Sequence, residues 1–223
     1  MKEQAIEIVP TIVPASFADV EEVSKKYAKF SSFFQIDVAD GKFAPNTTWL
    51  PKEGDTLPHK YGYEVHCMVA DPYSVGSVFA HAGAHTLIAH VEALGDSERA
   101  KQVCGEWRGS GVKQIGLAIL FQTPLEDVEQ YLPYFDFVLL MTIPRIGVQG
   151  IPYEKSAPAR VADFHTRYPE ISIAVDGGVS EGNIADLTHA GARHFGVGSA
   201  IAKAADPAAA YTKLLSLAEA AIV

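Results

Sequence analysis

The stretch 171–200, ISIAVDGGVSEGNIADLTHAGARHFGVGSA, decides the fold. It opens on a β-rich run, Ile171–Asp176, that breaks at Gly177-Gly178. Ser180 and Asn183 both fit a helix N-cap before Ile184–Ala190, and Gly191 ends that helix. A second β-rich run, His194–Gly198, follows, and Ser199 begins another helix-like segment. Strand, glycine turn, helix and strand make up the βα unit of a parallel sheet buried on both faces.

The same rhythm runs outward along the chain. Further β-rich runs lie at Ile6–Val13, Phe33–Ala39, Tyr63–Val69, His85–Val91, Gln114–Leu120 and Phe135–Thr142. Helical patterns separate most of them. Ser16–Lys29 starts on a capping serine and carries Val20, Val23 and Tyr27 near one face. Asp71-Pro72 opens Pro72–His81, which ends at Gly83. Ser97–Arg108 stops at Gly109, Thr123-Pro124 opens the next helix, and Glu154–Tyr168 and Ala208–Ala221 complete the set. Thr47–Leu57 is the weakest link, because Gly54 and Pro58 leave any helix there short. Eight such units could close into a (β/α)₈ barrel or lie open as a doubly wound sheet. Pro14-Ala15-Ser16 follows the first strand where a dinucleotide fold needs a glycine-rich turn, which favours the barrel. With 223 residues and no composition break, residues 1–223 are expected to be a single barrel domain.

Composition narrows the function. Acidic residues outnumber basic ones by 27 to 18, which argues against a general nucleic-acid binder or an anionic-membrane binder. Two cysteines, Cys67 and Cys104, are too few for a disulfide framework and read as packing residues. The opening MKEQAIEIVP has no signal-peptide pattern, and no run of about 18 apolar residues exists to span a bilayer. A cytoplasmic protein is expected.

Side chains alternate along a strand, so each run divides into two faces. Ile36 and Val38, Val65, Cys67 and Val69, and Ile171, Ile173 and Val175 are purely apolar and should face the helices. The opposite sets carry Gln35 and Asp37, His66 and Met68, and Asp176, and should face the barrel mouth. Two carboxylates and an imidazole in one concave site can bind a divalent cation or serve as acid and base. Glycine turns end both of the last two strands, at Gly177-Gly178 and at Gly196-Val197-Gly198-Ser199. Those two loops form the usual phosphate site of the barrel. His90 and Glu92 end the fourth strand, where they either reach the pocket or pack as a structural pair. Phe43 and Trp49 wall the pocket or form a subunit contact, and Lys42 reads as solvated.

Taken in order and spacing, several segments resemble the ribulose-phosphate 3-epimerase family over nearly the whole chain. They are VPT at 9–11, IDVADGKFAPN at 36–46, VHCMVADP at 65–72 and AGA at 82–84. Further on come HVEA at 90–93, GLAI at 116–119, TPLE at 123–126, VDGG at 175–178 and GSA at 198–200. The resemblance implies a barrel of the ribulose-phosphate-binding type acting on a small phosphorylated sugar. It implies inversion at C3 by two carboxyl groups reaching in from opposite sides of the barrel, with Asp37 and Asp176 as base and acid. It also implies a divalent metal (zinc, iron, manganese, cobalt or magnesium) on Asp37, His66 and Asp176. Thr11, Met68 and Met141 correspond to substrate contacts, and Gly177, Gly178, Gly198 and Ser199 to the phosphate cradle. Barrels of this type often form oligomers, so a homo-oligomer is expected.

Four positions depart from the family pattern, all at the mouth. Gln35 stands where the family has a second metal-binding histidine, and an amide oxygen binds zinc, iron or cobalt poorly compared with imidazole. Ala39 replaces a pocket methionine. Leu120-Phe121-Gln122 replaces a polar strand end followed by Pro-Gly. The loop Thr142–Gly150 replaces a glycine-rich lid and contains Arg145, a candidate contact for phosphate. A sugar-phosphate 3-epimerase is the leading expectation. An aldolase or decarboxylase on the same barrel, or a non-catalytic phosphosugar-binding protein, is the alternative.

Overall fold

A computed structural model describes residues 5–52, 54–147 and 151–222. Its elements run β1 (Glu7–Ile12), α1 (Phe17–Tyr27), β2 (Phe33–Ala39), β3 (Gly62–Met68), α2 (Pro72–His81), β4 (Thr86–His90), α3 (Val91–Leu94), α4 (Ser97–Gly109) and β5 (Gln114–Ile119). Two 3₁₀ turns follow at Leu125–Val128 and Leu132–Tyr134. The chain then continues through β6 (Phe137–Met141), α5 (Ala157–Arg167), β7 (Ser172–Asp176), α6 (Ile184–His189), β8 (His194–Val197), α7 (Ser199–Ala202) and α8 (Pro207–Glu219). Strands pair in parallel in chain order, and β8 closes on β1, giving a closed eight-stranded barrel among the described residues. No helix among them is long and apolar enough to cross a membrane.

Local chemistry sets the helix starts. Ser16 and Asp19 form a reciprocal capping box on α1, and the side chains of Asp71, Asp96 and Asp206 cap α2, α4 and α8. Two expected helices are absent. Among the described residues of 40–61 there is none, because Gly41, Pro45, Pro51, Gly54 and Pro58 interrupt every helical turn. Trp49 fills that space, packing on Phe17 and Phe79. The stretch opened by Thr123-Pro124 forms only the two 3₁₀ turns, since Pro133 stops a continuous helix.

Burial follows the predicted alternation. Ile36, Val38, Val65, Cys67, Val69, Ile173 and Val175 join the large apolar layer between sheet and helices. Ala39, Met68, Ile88, Ala118, Leu139, Met141 and Ala174 form a separate cluster inside the barrel. Both cysteines are buried, and burial pushes each thiol up to about 12, as packing residues require.

The floor of the barrel is closed by charge. His194, at the start of β8, contacts Glu7 through Nδ1 and the buried Glu64 through Nε2, each at 2.9 Å. Burial alone would push the His194 imidazole down, but the two carboxylates outweigh it and raise it from 6.5 to about 10. A histidine raised in the folded state contributes stability fully below its unfolded value and loses it as the pH rises through the folded value. Unfolding free energy is therefore expected to fall between about pH 6.5 and 10. In His194→Asn that part of the slope should vanish, as chemical denaturation across the range will show.

Candidate active site

Strand register gathers the polar side chains. Asp37 of β2 lies beside His66 of β3, and Asp176 is the last residue of β7. β7 and β2 are separated by β8 and β1 alone, and the narrow barrel brings the side chains together. One ligand atom each from Asp37, His66 and Asp176 lies within 4.8 Å of the others. His66 Nδ1 is 3.4 Å from Asp37 Oδ1 and 3.6 Å from Asp176 Oδ2. The imidazole is 1% exposed, and the carboxylates 15% and 13%.

Two like charges this close in a buried site must be offset. Burial first, then the neighbouring Asp176 charge, raises the Asp37 carboxyl above its ordinary range. Burial would lower His66, but its contacts with Asp176 and Asp37 raise it to about 10. Gln35 adds a neutral donor: its Nε2 donates to Asp37 Oδ1 at 2.7 Å and also to Asp176 Oδ2. The other face of the amide, Oε1, is buried without a hydrogen-bond partner among the described residues, as is His66 Nδ1. An acceptor nitrogen and two carboxylate oxygens converging on one point suit a divalent cation, which would displace the proton from His66. A half-turn of the Gln35 amide would present Oε1 as a fourth, hard ligand.

Gly196 makes this packing possible. A Cβ there would lie 2.8 Å from Asp176 Oδ2 and 2.8 Å from Gln35 Oε1. The glycine was expected to bring the backbone near an anion, but here it makes room for the carboxylate and amide.

Two cavities meet at the carboxylates, which line both. The smaller, about 120 Å³, also includes His66, Met68, Met141, Asn46, Ile143 and Ile146. The larger, about 560 Å³, runs toward Thr11, Gly178, Gly198, Ser199 and Lys203. Thr11 Oγ1 is buried and unpartnered among the described residues. Gly177 and Gly178 have φ of 110° and 68°, and a Cβ on Gly177 would meet Ile143 at 2.7 Å, so this turn needs glycine. Asn183 stands at the N-cap position of α6 without capping it. Its side chain braces the turn instead, accepting from the Ser180 N–H and donating to the Gly178 carbonyl.

Other sequence candidates fall outside the cavities. Gly177 lines neither, though its turn positions Gly178. Arg145 is exposed and lines neither. Val148, Gln149 and Gly150 of its loop lie outside the described residues. The basic residue that does line the larger cavity is Lys203, four residues beyond Ser199. Sequence inspection missed it because one surface lysine resembles another. His90 and Glu92 also stand behind the cavities: His90 is fully buried against His66. Burial and the His66 charge push His90 down to about 4, against the opposing pull of Glu92.

Comparisons with known proteins bear on the family and the fold. The family model described as ribulose-phosphate 3 epimerase matches residues 7–202. The chain is 32% identical over 212 residues to a ribulose-phosphate 3-epimerase of Mycobacterium leprae, covering 93% of this chain and 92% of that protein. It is 27% identical to one from Schizosaccharomyces pombe, covering 90% and 88%. Among solved structures, 3-keto-L-gulonate-6-phosphate decarboxylase from Vibrio cholerae superposes with a TM-score of 0.69 at 12% identity, covering 97% of this chain and 98% of that one. A 3-hexulose-6-phosphate synthase from Salmonella typhimurium gives 0.67 at 17%, covering 96% and 99%. At these identities the two structures speak for the fold alone.

Gly196→Ala is expected to fold and to displace the Asp176 carboxylate. Titration calorimetry with Mn²⁺ should show affinity at least about tenfold weaker than in the unmodified protein.

Proposed function

The chain belongs to the ribulose-phosphate 3-epimerase family, and we propose that it inverts C3 of a ketose phosphate, D-ribulose 5-phosphate or a related sugar. The observation that carries this reading is the position of Asp37 and Asp176 at the junction of the two cavities. The reacting carbons would lie between the carboxylates. The phosphate would extend into the larger cavity, toward Gly178, Gly198, Ser199 and Lys203. Met68 and Met141 would give the reacting carbons an apolar wall.

The C2 ketone acidifies the C3 hydrogen. One carboxylate removes that proton, and the other returns a proton to the opposite face of the resulting enediolate. The contacts to His66 and Gln35 occupy Asp37 Oδ1 and Asp176 Oδ2, so Asp37 Oδ2 and Asp176 Oδ1 would carry the transfers. Burial and the Asp176 charge raise the Asp37 carboxyl, which suits it to hold a proton and act as the acid in one direction.

Asp37, His66 and Asp176 would hold a divalent cation, with Gln35 Oε1 as a further ligand. When bound, the cation supplies Lewis-acid stabilisation of negative charge on the substrate oxygens. With an amide in place of a second imidazole, the set favours manganese or magnesium over zinc, iron or cobalt.

In deuterated water the protein is expected to exchange the C3 hydrogen of ribulose 5-phosphate. Asp37→Asn and Asp176→Asn should each slow exchange by at least about 100-fold; exchange unaffected by either change would remove both from the mechanism. Lys203→Ala should raise KM about tenfold with little change in kcat, a loss of about 1.4 kcal/mol in binding. Arg145→Ala should leave both close to their original values.

A further inference from the structure

We infer that His90 and Glu92 are positioning residues that fix the tautomer of His66, so that Nδ1 alone faces the reacting centre. The contacts form a directed chain. His66 Nδ1 faces the two carboxylates, and His66 Nε2 lies 2.8 Å from His90 Nε2. The ring planes are inclined by 27° and the centroids are 5.0 Å apart. That distance is the Nε2–Nε2 separation plus a ring radius at each end, so the imidazoles meet edge to edge along their nitrogen lone-pair directions. At 2.8 Å two such nitrogens share one hydrogen: one donates and the other accepts.

Glu92 decides which. Its Oε1 accepts from the Leu120 N–H at 2.9 Å and from the Thr123 hydroxyl, and its Oε2 is 3.3 Å from His90 Nδ1. An ionised carboxylate only accepts, so His90 Nδ1 carries the hydrogen. The fully buried His90 ring, with Phe43 packed against it at 5.0 Å, then offers a lone pair at Nε2. His66 Nε2 must donate to it. Nδ1 of His66 is left to hold a proton against the carboxylates or a lone pair toward a cation. Arg160 anchors the same loop from the other side, donating to the carbonyls of Leu120 at 3.2 Å and Thr123 at 2.6 Å. The orientation of His66 is thus fixed from the loop after β5, through Glu92 and His90. A ligating histidine needs such a partner on its second nitrogen to fix ring and tautomer.

The inference rests on the proposed function only in naming the cation; the tautomers can be read without it. In ¹⁵N-histidine-labelled protein, nitrogen shifts should show His66 Nε2 protonated with and without Mn²⁺. They should show His90 protonated at Nδ1 and bare at Nε2. The opposite pattern in the unmodified protein overturns the inference, whatever the variants do. Glu92→Gln places an amide N–H against His90 and should reverse both tautomers, weakening Mn²⁺ binding at least about tenfold by calorimetry. His90→Leu should weaken it similarly. His90→Gln, whose amide oxygen can accept from His66 Nε2, should restore most of the affinity. Unchanged tautomers and affinity in Glu92→Gln would refute the relay. Absence of Mn²⁺ binding in the unmodified protein counts instead against the cation of the proposed function, and the nitrogen shifts then decide the relay alone.

Discussion

Two carboxylates brought together inside a barrel repel each other and resist burial, and the rest of the site can be understood as the response to that constraint. Asp37 and Asp176 approach one imidazole nitrogen within 3.4 and 3.6 Å. At such range a buried pair cannot stay fully ionised without compensation. The protein supplies a protonated His66, a Gln35 amide that donates to both, and a β8 backbone stripped of its side chain at Gly196. A cation would displace the proton on His66, and the Gln35 amide could turn its oxygen toward it. The same arrangement would suit two charge states, a proton on His66 or a divalent ion among the ligands. A site held only by the carboxylates' own repulsion would open instead.

The barrel makes this arrangement rigid. Parallel pairing sets Asp37 level with His66, and Met141 level with Asp176. Because residues alternate across a strand, the register that buries Ile36 and Val38 against the helices turns Gln35 and Asp37 inward. A slip of one residue in β2 would send Asp37 into an apolar layer. Packing of the outer layer and geometry of the site are thus one constraint, and the large apolar cluster fixes the positions of side chains it does not touch.

That constraint explains what the sequence alone revealed. Strand positions and the inward phase of Asp37, His66 and Asp176 follow from period-two alternation and glycine punctuation, which are local signals, whereas closure of the sheet rests on the missing glycine-rich turn after the first strand. The absent helix after β5 was harder to foresee, because the run Leu125, Val128, Leu132 has helical spacing while Pro133 prevents its continuation. Roles that depend on packing across the barrel were not legible. Gly196 belongs to a phosphate-like glycine turn by pattern, yet it is the partner of Asp176 and Gln35. Asn183 has the residue type and position of a helix cap, while its amide braces the Gly178 turn. Lys203 differs from other lysines only in the cavity it meets, and Arg145, distinctive in sequence, faces solvent.

The loops after β5 and β6 are in contact with one another. Gln122, in the loop after β5, donates to the carbonyl of Pro144 in the loop after β6, at 2.7 Å. Ile143 and Ile146 of that second loop wall the small cavity, and Gly147 packs on Ala44 and Asn46. The first loop is held from below by Glu92 and Arg160 through Leu120 and Thr123. One short segment, 120–123, therefore has two connections: through Glu92 and His90 to the imidazole behind the carboxylates, and through Gln122 to the loop in front of them. Changes at residues 120–122 and 142–147 are structurally coupled, because replacing Gln122 removes the donor that Pro144 uses. The loop after β6 walls the small cavity through Ile143 and Ile146, and the loop after β5 supports it through Gln122.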